Sequence, residues 1–167
     1  ADSDALMGAE VLRDLFVSAM IEGDLETARQ LLPDVRGAGR MPTTYGRYCK
    51  ALYELHLGRS EAALAVLEED SYRASMPGFA FLRALGLATL PEPRVEAARR
   101  ALEIAEAANG NGEVLPFVPL RAYLAELGSG DERPTEAEVR AAWERQRQAA
   151  REEPIARYFM EWKRRLR

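Results

Sequence analysis

Apolar residues along this chain return at helical spacing. Leu12, Leu15, Phe16, Ala19 and Met20 stand at i, i+3, i+4, i+7 and i+8, one face of a helix over 5–22. Gly23-Asp24 breaks it, and Asp24 supplies a cap for a second helix to about Leu32, which Pro33 and Gly37-Ala38-Gly39 end. Thr43 and Thr44 offer a cap for a helix through Leu57. After the turn Gly58-Arg59-Ser60, Ser60 is the expected cap of a helix to about Asp70. Helices over 79–90 and 94–108, joined by Leu90-Pro91-Glu92-Pro93, form the next pair. Asn109-Gly110-Asn111-Gly112 is a loop, and another helix is expected over 114–127. No segment alternates at period two for long enough to be a strand. The pattern predicts an all-α chain.

Past Gly128 the texture changes. Gly128-Ser129-Gly130-Asp131-Glu132-Arg133-Pro134 is the clearest linker signal, and Thr135 with Glu138 opens a helix in the capping-box pattern. That helix is expected to about Glu152, with Pro154 starting or kinking a last one that ends near Arg167. Ile155, Tyr158, Phe159, Trp162 and Leu166 make a strong apolar stripe, continued upstream by Val139, Ala142 and Trp143. The chain thus divides into helices over 1–128, a linker over 129–134, and C-terminal helices over 135–167 that pack on the first part.

A repeat underlies the first part. Glu26-Thr27-Ala28, Glu61-Ala62-Ala63 and Glu96-Ala97-Ala98 are spaced by 35 residues. Leu32, Leu67 and Leu102 keep the same interval, as do Gly23 and Gly58 (with Pro93 third), and Met41-Pro42 and Met76-Pro77. Several independent columns agree on one period.

Composition removes whole classes of function. The 167 residues contain one Cys, Cys49, and one His, His56. A disulfide framework and a Cys/His zinc site are therefore excluded. Neither residue has the neighbours of a catalytic set: Cys49 lacks a resolving thiol and reads as a buried structural one, and His56 stands near a helix end. Glu68-Glu69-Asp70 fans out around a helix as a solvated surface, and Asn109-Gly110-Asn111-Gly112 lacks the strand and Lys-Ser/Thr of a phosphate loop. No enzyme, metal or cofactor is expected. The formal net charge of −4 divides into −6 over 1–130 and +2 over 131–167. An acidic array disfavours nucleic acid. The acidic start lacks the features of a signal peptide, and the longest apolar stretch, Phe79 to Leu90, is too short to cross a bilayer. The cytoplasm is the expected compartment.

A helical hairpin of about this length with small residues at fixed places resembles the tetratricopeptide family over roughly 5–128. The family's Gly-x4-Ala-x3-(large apolar) pattern stands here as Gly23, Ala28 and Leu32, then as Gly58, Ala63 and Leu67. The third unit keeps Ala98 and Leu102. The small residue within the first helix of each unit is Ala51 and Gly86, with Phe16 in the first unit. The repeats are degenerate: the family's aromatic column holds Leu12, Arg47 and Leu82, its Tyr column Ala19, Glu54 and Thr89, and its closing prolines arrive two residues late. More distantly, the run from Tyr45 through Leu67 is similar to cytosolic chaperones and accessory proteins of bacterial type III secretion, which sequester subunits before export.

That resemblance implies an array of about three hairpins whose first helices line a groove. The implied groove residues are Arg13, Val17, Met20 and Ile21, then Tyr45, Tyr48, Leu52 and Leu55 with His56 at the edge, then Ala80, Arg83 and Leu87, and finally Val118 and Ala122. Tyr and Arg in such a strip favour peptide anchoring; the alternative is that Tyr45 and Tyr48 close the core between repeats. For the C-terminal stripe of Trp143, Tyr158, Phe159 and Trp162, capping the open end of the array stands against docking a partner or self-association. The expectation is a non-enzymatic protein-binding module, chaperone- or adaptor-like, that takes a helical or extended segment of another protein. An RNA-binding helical repeat of the pentatricopeptide kind is the alternative with a matching period.

Overall fold

The helices form where apolar spacing and turn residues place them. A computed structural model describes residues 2–32, 43–69, 76–110, 112–128 and 132–166. In order they form α1 (Asp2–Glu22), α2 (Leu25–Leu31), α3 (Thr43–His56), α4 (Ser60–Glu68), α5 (Pro77–Ala88), α6 (Val95–Asn109), α7 (Phe117–Glu126), α8 (Glu136–Ala149), α9 (Pro154–Phe159) and α10 (Trp162–Arg165). Among the described residues the chain is all-α, with no strand, and no helix is long and apolar enough to cross a membrane. Pro33, the Gly37 to Gly39 tract, Met41-Pro42, Asp70, Asn111 and Ser129 to Asp131 lie outside the described residues.

Consecutive helices pack as pairs: α1 with α2, α3 with α4, α5 with α6, and α7 with α8. The first two turns share one geometry. Gly23 and Gly58 hold φ of 78° and 77°, the left-handed region that costs a glycine nothing. The Asp24 amide donates to the Ala19 carbonyl and the Arg59 amide to the Glu54 carbonyl, both at 2.8 Å. Bonds of this span close a helix by the Schellman pattern. Asp24 caps α2, its carboxylate accepting from the Thr27 amide at 3.1 Å. Pro91 and Pro93 bar this turn in the third pair, where the Arg94 amide reaches the Leu87 carbonyl at 3.0 Å instead.

The small-residue columns are packing positions. Ala28, Ala63 and Ala98 are completely buried, and Leu67 and Leu102 nearly so, whereas Leu32 is half-buried. α4 packs directly on α5. There a Cβ on Gly86 would stand 2.9 Å from Leu64 Cδ2, so a larger residue requires the Leu64 side chain to move.

Several boundaries differ from the sequence reading, among them the start of α1 at Asp2, α5 at Pro77–Ala88 and the end of α8 at Ala149. Arg59, not Ser60, is the N-cap of α4. Ser60 is buried, and its hydroxyl lies 2.7 Å from Thr89 Oγ1 and donates to the Thr89 carbonyl at 3.2 Å, tying α4 to the end of α5. α7 starts at Phe117 rather than at 114, because Pro116 disfavours helical backbone at Leu115. The last helix is divided: Glu161 and Lys163 donate to carbonyls three residues back, Tyr158 and Met160, and this tighter turn separates α9 from α10.

The C-terminal stripe does not stay beside the last hairpin. α8 packs on α7, and α9 then packs on both α8 and α1, the first helix of the chain. Ile155, Tyr158, Phe159 and Trp162 join one core with Phe16, Val17, Met20, Leu52, Phe81 and Leu120. Phe81 stands at its centre, with edge-to-face contacts to Phe117 at 5.4 Å and Phe159 at 5.3 Å. Gln146, fully buried on α8, donates to the carbonyls of Val114 and Ala156 at 2.9 and 3.1 Å, joining three segments.

Candidate functional site

The residues named as groove-lining fall on α1, α3, α5 and α7, and most of them are at least half covered. Val17, Leu52 and Leu87 are fully buried, Met20, Ala80 and Leu55 nearly so, while Ile21, Arg83, Val118 and Ala122 are half-buried. The cover includes the chain's own α9 and α10. The Tyr158 hydroxyl meets His56 Nδ1 at 2.9 Å. Arg165, stacked 4.7 Å over the Trp162 ring, donates to the Leu55 carbonyl in the last turn of α3 at 3.4 Å. A cation there also suits the negative end of the helix. Tyr158, Phe159 and Trp162 are thereby buried. Trp143 is buried elsewhere, lining a cleft of about 370 Å³ with Pro119, Val139, Lys163 and Leu166.

One stretch of this face stays open. A cavity of about 520 Å³ is lined by Arg13 of α1, Tyr45 and Tyr48 of α3, Met76 to Phe79 at the start of α5, Asn109 at the end of α6, and Gly112 and Glu113 of the α6–α7 connection. That volume lies in the range of sites that hold a small ligand or a side-chain anchor. Its walls are mostly apolar, with Tyr48 edge-on to Phe79 at 6.0 Å. Arg13 supplies the charge: its guanidinium sits 5.5 Å from the Tyr45 ring centre and 3.5 Å from Glu113 Oε1. Asn109 Nδ2 donates to the Glu113 carbonyl at 2.9 Å, holding the connection against the end of α6.

The electrostatics follow from burial. Desolvation raises the Glu113 carboxyl above its ordinary value, with Arg13 opposing and Glu153 adding to the rise. Burial likewise pushes the Tyr48 phenol well up. The Tyr48 hydroxyl is shut off from solvent with no hydrogen-bond partner among the described residues, as is Arg13 Nε, which lies 3.8 Å from Asp14 Oδ1. Beside the cavity Asp14, Glu113, Glu152 and Glu153 line a second cleft around Arg13. Among the described residues no group of three or more His, Cys, Asp or Glu is placed to hold a metal ion.

Sequence reading named Arg13, Tyr45 and Tyr48, and the cavity brings these three together. It does not bring in Arg83, which lies outside the lining. Met76 to Phe79, Asn109, Gly112 and Glu113 were missed as lining residues. Only the positive charge of Arg13 hinted at a carboxylate partner, and nothing local marked Glu113 among the chain's acids. Cys49 is fully buried, and burial lifts its thiol to about 12. No family model matches this sequence, and neither a curated protein nor a solved structure shows significant similarity to it.

Proposed function

We propose that this chain is a non-enzymatic protein-binding module, a degenerate tetratricopeptide-like array that takes a segment of a partner polypeptide, in an adaptor- or chaperone-like role. The observation that carries this reading is the open cavity at Arg13, Tyr45, Tyr48 and Phe79. Aromatic walls accept an apolar side chain, and the Arg13–Glu113 pair offers both a donor and an acceptor to a passing backbone. The two reactive side chains stand outside the cavity: Cys49 is held as a thiol, and His56 commits Nδ1 to Tyr158. The 35-residue recurrence of the Ala19–Asp24 and Glu54–Arg59 turn bonds supports the repeat reading.

A photo-crosslinking residue placed at Met76, an exposed member of the lining, tests this in cells of the source organism. A covalent adduct to a defined polypeptide is expected there, and none from the exposed Arg100 position on α6. Tyr45→Ala should remove the adduct. Equal labelling from both positions, or labelling indifferent to Tyr45→Ala, would overturn the reading.

A further inference from the structure

We infer that the face formed by α1, α3 and α5 is a helix-binding surface that the chain's own α9–α10 segment occupies, and that the partner segment is an aromatic amphipathic helix that competes with it. The inference rests on the protein-binding reading and adds the chemistry of the partner. It begins from what fills the face now. Ile155, Tyr158, Phe159 and Trp162 come from one short stretch, at i, i+3, i+4 and i+7, and all are buried. They lie against the first helices of the first three pairs: α9 packs on α1, Tyr158 bonds to His56 of α3, and Phe159 meets Phe81 of α5. The basic end Lys163-Arg164-Arg165 follows directly, and Arg165 covers the carbonyl end of α3. An apolar stripe at helical spacing with a cationic end is the complement that this face selects.

The segment is built to be exchanged. α9 and α10 have six and four residues, lengths at which a helix has little stability of its own. At the segment's entry Glu152 and Glu153 line a cleft with Asp14 and Glu113, where Arg13 is the one cation in the lining. Like charge at the hinge works against closure.

The test uses the full chain and a designed helical peptide with Ile, Tyr, Phe and Trp at i, i+3, i+4 and i+7, Lys-Arg-Arg after them, and Ala, Glu and Lys elsewhere. Labelled peptide should bind saturably, and a scrambled peptide of the same composition should not. Tyr158→Phe weakens the tethered competitor by its bond to His56, so this variant should bind the peptide about two- to tenfold more tightly. Absence of saturable binding to both proteins, each still helical and cooperatively melting, would make the segment a fixed part of the core and overturn the inference. A dimer gained by Tyr158→Phe in sedimentation, without tighter peptide binding, would assign the face to a second copy and overturn it equally. The crosslink at Met76 reads the open cavity without residues 154–166, so a positive result there beside a negative one here removes the helix partner alone.

Discussion

His56 Nδ1 lies 2.9 Å from the hydroxyl of Tyr158, a residue 102 positions further along, and this bond links the end of α3 to α9. The acceptor on His56 exists only while the imidazole is neutral. Burial holds its pKa below the ordinary value, the Arg165 cation adds to that, and Glu161 opposes.

The pH dependence follows from that depression. The unfolded chain binds the His56 proton more readily than the folded one, so stability is lost as pH falls through the ordinary histidine value of about 6.5. Glu113, raised by burial, acts with the opposite sign: stability is gained as pH falls towards the ordinary carboxyl range. Comparison with His56→Gln separates the two. In urea titrations from about pH 7.5 to about pH 5.5, the parent should lose stability more steeply than the variant. Parallel curves would show that His56 does not couple to folding.

Gly86 reports on the spacing of α4 and α5. Gly86→Val would press a branched side chain into Leu64, whose Cδ2 already stands 2.9 Å from the position of a Cβ. Overpacking of this kind costs about 1–3 kcal/mol, or roughly 2–12 °C in Tm for a chain of this size. The same change at Gly8, where a Cβ meets nothing within 4 Å, should shift the melt far less. Equal melts would mean that the two helices are not closely packed.

Local patterns carried much of the fold. The capping carboxylate of Asp24, the glycine turns at Gly23 and Gly58, the Thr135 cap and the buried alanine columns are interactions within a few residues, and spacing exposes them. Ser60 misled because its hydroxyl finds Thr89, 29 residues away, and a tertiary bond outcompeted the cap. The stripe from Ile155 to Trp162 was plain as a stripe, yet its seat was not. Periodicity states that a face is apolar but not which surface covers it, and α1 lies at the other end of the chain. Of the open cavity, Arg13, Tyr45 and Tyr48 were legible, while Glu113 arrives from a loop whose path no local rule encodes.

Cys49 should be unreactive in the folded chain. It is fully buried, and a thiol lifted to about 12 has almost no thiolate at neutral pH. Reaction with an aromatic disulfide reagent should therefore track unfolding, rising with urea along the same curve as the loss of helical circular dichroism. Fast labelling without denaturant would mean that α3 opens locally or that its packing is other than described.

Tyr48 separates stability from binding. Its ring is needed as a wall of the cavity, edge-on to Phe79, but its hydroxyl is buried with no hydrogen-bond partner among the described residues. A buried unpaired hydroxyl costs about 1–3 kcal/mol of desolvation. Tyr48→Phe keeps the ring and discards that penalty, so the variant should be more stable by about 1 kcal/mol, a rise of roughly 2–4 °C in Tm. Tyr48→Ala, which removes the wall as well, should cost about 3–5 kcal/mol, as large-to-small core changes do. A loss of stability in Tyr48→Phe would show that the hydroxyl is paired after all. Binding gives the complementary reading: a hydroxyl shut off from solvent is out of a partner's reach, so Tyr48→Phe should melt higher and still crosslink at Met76. Crosslinking lost in a variant that melts higher would show that the hydroxyl becomes exposed and takes part in binding.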